Sequence, residues 1–401
     1  MMVELTAINK QFLCVLPTLS SSGHSLYDPP LPTLPFDLVA EILCRLPVKL
    51  LLQLRCFCKS WNSLITDHKF AKKHLSLSTT RCLHCVSYTG FPYLYVLKSY
   101  PLGPVLNNLT TNITEYEYSP YNIHGDHPRL CVDCFVGSCN GILCFTAGIY
   151  KISVILWNPS IRKIKEFPLF QKPNWSFTHM AFGFGYDSFN DNYKVVVVLQ
   201  GLIQDSSGNI ACKTEVKVHT SITNCWKNIQ EFTFGSILPE QSGKFVSDTI
   251  NWLAVIDFDG RSPRFIISFD LEKESYQKVL LPDSGGVNVC NFLALFVLRD
   301  CLCVTYGDSD FDSVLKDVWI MKEYGNKDSW TKLFTLSCRV DRGVSHISAK
   351  PVYLFEDDQV LLKLTGAFNS FVYDSRSGTL KSSDFQNILG VSVESLISPC
   401  S

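Results

Sequence analysis

Apolar and polar positions divide the chain into two textures. From Leu34 the apolar residues keep a helical period: Leu38, Ile42, Leu43 and Leu46 step by four, one and three, with Pro35 at the start and Pro47 as a stop, and predict one short amphipathic helix. Leu51, Leu54, Cys58, Trp61 and Ile65 then step by three, four, three and four, which places them on one face across one or two further helices. Residues 34–75 therefore read as a compact helical unit, close to the lower size limit for folding alone, because so short a segment buries little apolar surface. Residues 1–33 contain S-S-S-G and D-P-P and no sustained period, the texture of a flexible leader.

Beyond Leu75 the helical period disappears. Short runs rich in Val, Ile, Phe and Tyr, such as Y-K-V-V-V-V-L and R-F-I-I-S-F-D, are separated by clusters of Gly, Asn, Asp, Ser and Pro, so residues 76–401 read as nearly all β. Two hairpin types alternate along this region. One carries an aromatic residue followed by Asn or Asp and a turn, at Asn158, Asp270 and Asp374; the other carries Trp226 or Trp330. Like positions recur about every 104 to 112 residues, so the underlying unit is about 52 residues, the length of a four-stranded kelch-type blade. The fold class expected is a small all-α module followed by an all-β domain, a kelch-like β-propeller of about six blades. Two successive β-sandwiches are the alternative that the turn spacing leaves open.

Composition narrows the function classes. Of 401 residues, 46% are hydrophobic and 18% charged, and 36 Lys plus Arg balance 37 Asp plus Glu to a net charge of -1. Such a chain is mostly folded and has no global field to attract nucleic acid or anionic lipid. The run from Phe292 to Leu298 is far too short to span a bilayer. Seventeen cysteines, an odd number spread through apolar segments, suit reduced packing thiols. The run from Phe12 to Leu16 is broken by Pro17 and preceded by Glu4 and Lys10, which argues against a secretory leader and for a cytoplasmic or nuclear protein. The sequons at Asn108, Asn112 and Asn174 are then chance matches.

The segment L-P-F-D-L-V-A-E-I-L-C-R-L-P-V-K-L-L-L-Q-L-R-C-F-C-K-S-W-N-S-L-I, Leu34 to Ile65, strongly resembles an F-box, and K-F-A-K-K-H-L after it resembles the extension of that motif in plants. One departure is Leu50, where relatives commonly carry Ser; at a helix start it would weaken a cap. G-S-C-N-G-I-L-C-F (Gly137 to Phe145), L-W-N-P-S-I-R-K (Leu156 to Lys163), G-F-G-Y-D-S-F-N-D-N-Y-K-V-V (Gly183 to Val196) and the hairpin at Trp226 resemble the F-box-associated, kelch-like domain of a large plant family. The resemblance implies a non-catalytic, substrate-recognition subunit of a Skp-cullin-F-box ubiquitin ligase. Its partners would be a Skp-type adaptor, a cullin through it, and a target protein, with no cofactor, nucleic acid or membrane. The adaptor-binding residues it implies are Leu34, Pro35, Leu38, Ile42, Leu43, Leu46, Pro47, Leu51, Cys58 and Trp61. The apolar face of Leu38, Ile42, Leu46, Leu51 and Trp61 is large for so small a unit, as an interface requires. Packing of that face on the protein's own helices or β domain is the alternative.

Catalytic and metal signals are weak. Cys82-x-x-Cys85 and Cys131-x-x-Cys134, with His84, His124 and His127 nearby, lack the 15 to 20 residue separation of a four-cysteine zinc module. Gly183-Phe184-Gly185 lacks the third glycine of a dinucleotide loop, and no P-loop, G-x-S-x-G or H-E-x-x-H occurs. His124, His179, His219 and His346 are isolated; they would matter only in an alternative reading as a propeller oxidase or hydrolase. A non-ligase F-box scaffold is a further alternative. Trp157, Trp226, Trp252, Trp319 and Trp330 recur with the blades and read as core between them.

Target recognition is expected in loops. The longer polar stretches are Asn107 to Arg129, Asp205 to Lys213, Asp257 to Arg264 and Gly307 to Asp317. Asp257, Asp259, Asp308, Asp310 and Asp312 form an acidic set suited to a basic target if their loops open on one rim, and are otherwise solvated loop tips.

Overall fold

The computed structural model describes residues 35–89, 94–102, 114–118, 135–147, 151–173, 175–204, 210–231, 238–256, 264–282, 294–310, 313–339, 349–364 and 369–400. The chain divides into two compact units, Met1–Ser78 and Thr79–Ser401.

The first unit holds four short helices: α1 (Phe36–Leu43), α2 (Val48–Leu54), α3 (Lys59–Thr66) and α4 (His68–Leu77). Their ends follow from local chemistry. Pro35 and Pro47, with φ fixed at -50° and -57°, sit immediately before α1 and α2, where a missing N–H costs nothing. The α3 start is capped by Cys58, whose Sγ accepts from Trp61 N at 3.5 Å, and the α4 start by Asp67, whose Oδ1 accepts from Phe70 N at 3.0 Å. Leu50 is the third residue of α2, so it occupies no cap and the expected weakening does not apply. Leu43, Val48, Leu51, Ile65, Phe70 and Ala71 form the apolar core of the unit. His74 on α4 is buried and its Nε2 lies 2.9 Å from the Leu46 carbonyl, which ties the last helix to the turn after the first.

The second unit is a six-bladed propeller. Its described strands form six antiparallel sheets of at least four strands each. The strands Phe135–Cys139, Ser176–Asp187, Lys244–Val246, Ala294–Leu298, Ala349–Leu354 and Ile388–Val393 each begin one sheet and touch one another in a closed ring, so they are the inner strands around a central channel. The blades are numbered here from the one holding Arg81–Thr89. Blade one takes its inner strand from the other end of the chain: Ile388–Val393 pairs antiparallel with Arg81–Thr89, Arg81 opposite Val393 and Cys85 opposite Ile388. The ring is therefore closed by hydrogen bonds between the two ends of the domain.

The apolar clusters among the described residues join neighbouring blades. One apolar cluster joins Val196, Val198 and Val218 of blade three to Ile250, Trp252 and Phe269 of blade four, and another joins Leu83 and Cys85 of blade one to Phe355 and Leu361 of blade six. A blade removed from the ring would expose both faces, which is why the fold needs the whole repeat set.

The alternating hairpins have distinct jobs. Asn158, Asp270 and Asp374 end the third strand of blades two, four and six, and each side-chain oxygen accepts from a backbone N–H two or three residues on: Ser160 at 2.9 Å, Lys273 at 2.9 Å, and Arg376 and Ser377 at 2.9 and 3.1 Å. Trp226 and Trp330 open the outer strands of blades three and five, and each indole N–H donates to a carbonyl following the preceding blade, Pro168 at 2.8 Å and Leu280 at 3.0 Å. Trp252, in the second strand of blade four, donates instead to the Phe182 carbonyl within the inner strand of blade three, at 3.1 Å.

Candidate functional site

Two surfaces emerge, one on each unit. On the helical unit, Phe36, Leu38, Ile42 and Phe57 are 51%, 49%, 39% and 50% exposed. Leu38 and Ile42 are four residues apart on α1, hence on one face, and Phe57 lies in the turn between α2 and α3 beside Trp61, their ring centroids 6.1 Å apart. Of the ten expected adaptor contacts, Pro35, Leu38, Ile42 and Pro47 are exposed, while Leu46, Cys58 and Trp61 are half-buried. Leu43 and Leu51 are fully buried, which corrects the expectation that Leu51 shares an exposed face with Leu38 and Ile42: its side chain is core. Leu34 lies outside the described residues. Phe36 and Phe57 were missed by the periodicity, since each falls outside the stepped apolar series. A groove of about 560 Å³ lined by Phe36, Lys59, Ser60, Ser63, Leu64 and Asp67 adjoins this surface.

On the propeller, antiparallel pairing separates two faces. Each blade returns the chain to the side from which its inner strand began, so connections between second and third strands, and between blades, leave from one face. The turns between first and second and between third and fourth strands lie on the opposite face. That turn face is tightly built: Asn140, Gly141, Asp191, Ser247, Asp248, Arg299, Asp300 and Asp358 all take positive φ in hairpin turns there. Strand pairs Thr249–Val255 with Arg264–Asp270, and Cys301–Asp310 with Ser313–Met321, both direct their connections to the other face. The strands that flank the acidic set thus run toward one face.

The loop boundaries need correction. Thr114–Tyr118, Ile210–Lys213 and most of Gly307–Asp317 are strand, with Asp308 opposite Leu315 and Asp310 opposite Ser313. Polar sequence had suggested loops, but the backbone hydrogen bonds of a strand do not depend on side-chain polarity, and pairing with a neighbouring strand holds these segments. Asp257, Asp259 and Asp312 lie outside the described residues.

The described candidate His and Cys groups are packed in the blades. His84 is fully buried between strands of the closing blade, its Nδ1 2.8 Å from Ser99 Oγ and its Nε2 2.7 Å from Ser392 Oγ, and burial pushes its pKa down to about 3. Burial likewise raises the thiols of Cys82 and Cys85, the latter to about 12, so both stay protonated. His219 stacks on Phe167 at 3.8 Å and meets Trp226 edge-on at 5.1 Å, with its pKa lowered by burial to about 4. His179 is half-buried, with its pKa also lowered by burial. Cys131, Cys134, His124, His127 and His346 lie outside the described residues. Among the described residues no three His, Cys, Asp or Glu side chains converge as metal ligands would, and no helix is long and apolar enough to cross a membrane.

Comparison with known proteins agrees with this architecture. Residues 31–73 match the F-box domain family and residues 108–374 the F-box associated beta propeller domain family. An F-box/kelch-repeat protein of Arabidopsis thaliana is 31% identical over 82% of this chain and 85% of its own length. A second Arabidopsis thaliana F-box protein is 28% identical over 82% of this chain and 78% of its length, and F-box protein CPR1 of the same plant is 30% identical over 83% and 80%. Among solved structures, an Aleuria aurantia lectin aligns with a TM-score of 0.36 at 10% identity over 78% of this chain and 96% of that one, too slight a likeness to carry an argument.

Proposed function

Because the chain belongs to the F-box proteins that carry an F-box-associated β-propeller domain, we propose that it is the substrate-recognition subunit of a Skp-cullin-F-box ubiquitin ligase. In this reading residues 34–75 dock a Skp-type adaptor, residues 76–401 hold a target protein, and residues 1–33 are a leader. Ubiquitin transfer then follows from proximity, since tethering a target beside the ligase core raises its effective concentration without new chemistry. The chain itself supplies no reacting group, and it works in the cytoplasm or the nucleus.

The observation that carries the reading is the apolar surface of Phe36, Leu38, Ile42 and Phe57 on a unit whose own core is already filled by Leu43, Leu51, Ile65 and Phe70. Covering four half-exposed side chains is worth about 1 kcal/mol each. The adaptor contacts proposed are therefore Pro35, Phe36, Leu38, Ile42, Pro47, Phe57 and Trp61, with Leu43 and Leu51 as support beneath them. The target is proposed to meet the loop-bearing face of the propeller, where the acidic set would take a basic segment.

The test is co-purification with a Skp-type adaptor and a cullin. A Leu38→Asp, Ile42→Asp double variant is expected to lose the adaptor, because it places charges in an apolar contact, while the propeller melts at the wild-type temperature. Retention of the adaptor would defeat the reading. Recovery of adaptor without cullin from the wild type would leave a non-ligase scaffold instead.

A further inference from the structure

The inner strands carry little charge. Among their described residues the lysine, arginine and acidic side chains are Lys244, Lys350 and Asp187, and Asp187 closes its strand in bonds to Asn190 and Lys194. Lys244 is the first residue of its strand and Lys350 the second of its own, so both stand where inner strands begin, on the loop-bearing face. Lys350 Nζ lies 2.9 Å from Glu240 Oε1. Residue 240 leads into blade four and residue 350 lies in blade six, so this pair reaches across the channel mouth past blade five. Lys244 Nζ donates to the carbonyl and hydroxyl of Ser242, at 3.0 and 2.9 Å. Lys350 thus pairs directly with Glu240, while Lys244, held by Ser242, stands near enough to feel the charge of both.

The arrangement is under-compensated and reachable. The side chains of Lys350 and Glu240 are 35% and 17% exposed. Burial lowers the Lys244 pKa; Glu240 opposes that effect and Lys350 adds to it. An anion that displaced Glu240 would face two cations in a partly dry mouth, where the attraction is strengthened, against the loss of its own hydration.

We propose that this channel mouth is an oxyanion site: a carboxylate or phosphate group on a segment of the target protein enters from the loop-bearing face and displaces Glu240 to take Lys244 and Lys350 as partners. The proposal rests on the reading of the propeller as a target receptor, and adds a central acidic anchor to the basic character expected at the rim.

The test titrates a labelled hexaglutamate peptide, a labelled peptide with one phosphoserine, and inorganic phosphate into the full chain co-purified with its adaptor. At least one peptide is expected to bind saturably and more weakly at high salt. Lys244→Met and Lys350→Met should each weaken it roughly tenfold, and Glu240→Gln should tighten it about threefold, because the lysines lose their internal competitor. A gain of affinity cannot come from misfolding, so the last variant keeps the test decisive. No binding of any probe, or equal affinity in all three variants, overturns the site. Binding of inorganic phosphate with neither peptide assigns it to a free ion and overturns the target anchor. Failure of the ligase reading looks different: the wild type binds peptide but retains no adaptor.

Discussion

Ring closure should depend on Asn158 far more than its repeat equivalents depend on theirs. Asn158 is fully buried, and its Nδ2 donates to the Ser395 carbonyl at 3.0 Å, Ser395 Oγ at 3.1 Å and the Ile397 carbonyl at 2.8 Å, so blade two grips the segment that follows the closing strand. The grip is tight: Gly141, at φ +81°, has room only for hydrogen, since a Cβ there would stand 2.5 Å from Ser395 Oγ. Asn158→Ala leaves the Ser395 and Ile397 carbonyls and the Ser160 N–H without their partner. At ~1–3 kcal/mol for each buried group left unpaired, and with partial relaxation, the loss is about 3–5 kcal/mol. Asp270→Ala, the same substitution at the matching position of blade four, removes a turn cap at Lys273 N and an exposed pair with Lys273, and should cost only about 1 kcal/mol. Asn158→Asp should be worse than Ala, because a carboxylate keeps the turn cap but faces two carbonyls with nothing to donate. Urea unfolding of the three variants, with hydrogen exchange read at 388–393 and 81–89, measures both parts of the argument. Equal losses for Asn158→Ala and Asp270→Ala, or unchanged exchange in the closing strand, would refute it.

Acid should loosen the same blade. The folded protein holds His84 near a pKa of about 3 against an ordinary value of 6.5, so the unfolded chain takes up a proton that the folded one resists: nothing is lost above pH 6.5, and stability falls by ~1.4 kcal/mol per unit as pH drops from 6.5 toward 3. A His84→Gln variant, compared with wild type by urea unfolding at pH 7.5 and 5.5, should lack this component; parallel pH profiles would contradict the assignment. Lys194 bridges buried Asp187 at 2.9 Å and Glu274 at 3.3 Å and also donates to the Leu271 carbonyl, so Lys194→Met strands a buried carboxylate and should cost ~3–5 kcal/mol in thermal unfolding, whereas a loss below 1 kcal/mol would mean the pair is solvated. Replacing Asp257, Asp259, Asp308, Asp310 and Asp312 by Asn should change the proteins captured by affinity purification without releasing the adaptor; an unchanged capture profile would move basic-target recognition off this rim.

Two of these side chains show where sequence reading stops. Asn158 and Asp270 sit in the same motif and make the same turn, which is why both are visible as a repeat; a turn is local, and its Asn or Asp caps neighbours two or three residues away. That Asn158 also fastens residues 395 and 397 depends on the ring closing between the two ends of the domain, a contact across more than two hundred residues that no local pattern encodes. The helical unit divides in the same way. Proline positions and apolar spacing fixed its helices, because φ restriction and helical period act within a few residues. Which leucines are buried depended on where the neighbouring helices pass: α1 is only eight residues long and carries apolar side chains on more than one side, so Leu43 became core and Leu38 and Ile42 surface.

The sequence by itself determined the α then β order and the position of the F-box, and its repeat length of about 52 residues pointed to about six blades while leaving two β-sandwiches open; period, turn chemistry and a continuous motif carried all of these. Tertiary structure alone decided that Glu240 before blade four pairs with Lys350 of blade six, that His84 is a strut between two serines, and that the polar stretch near 310 is strand. The reason is common to all three. Pairing of backbone with backbone and of one blade with the next joins residues by their place in the ring, and that place is set by the sum of all the blades between them.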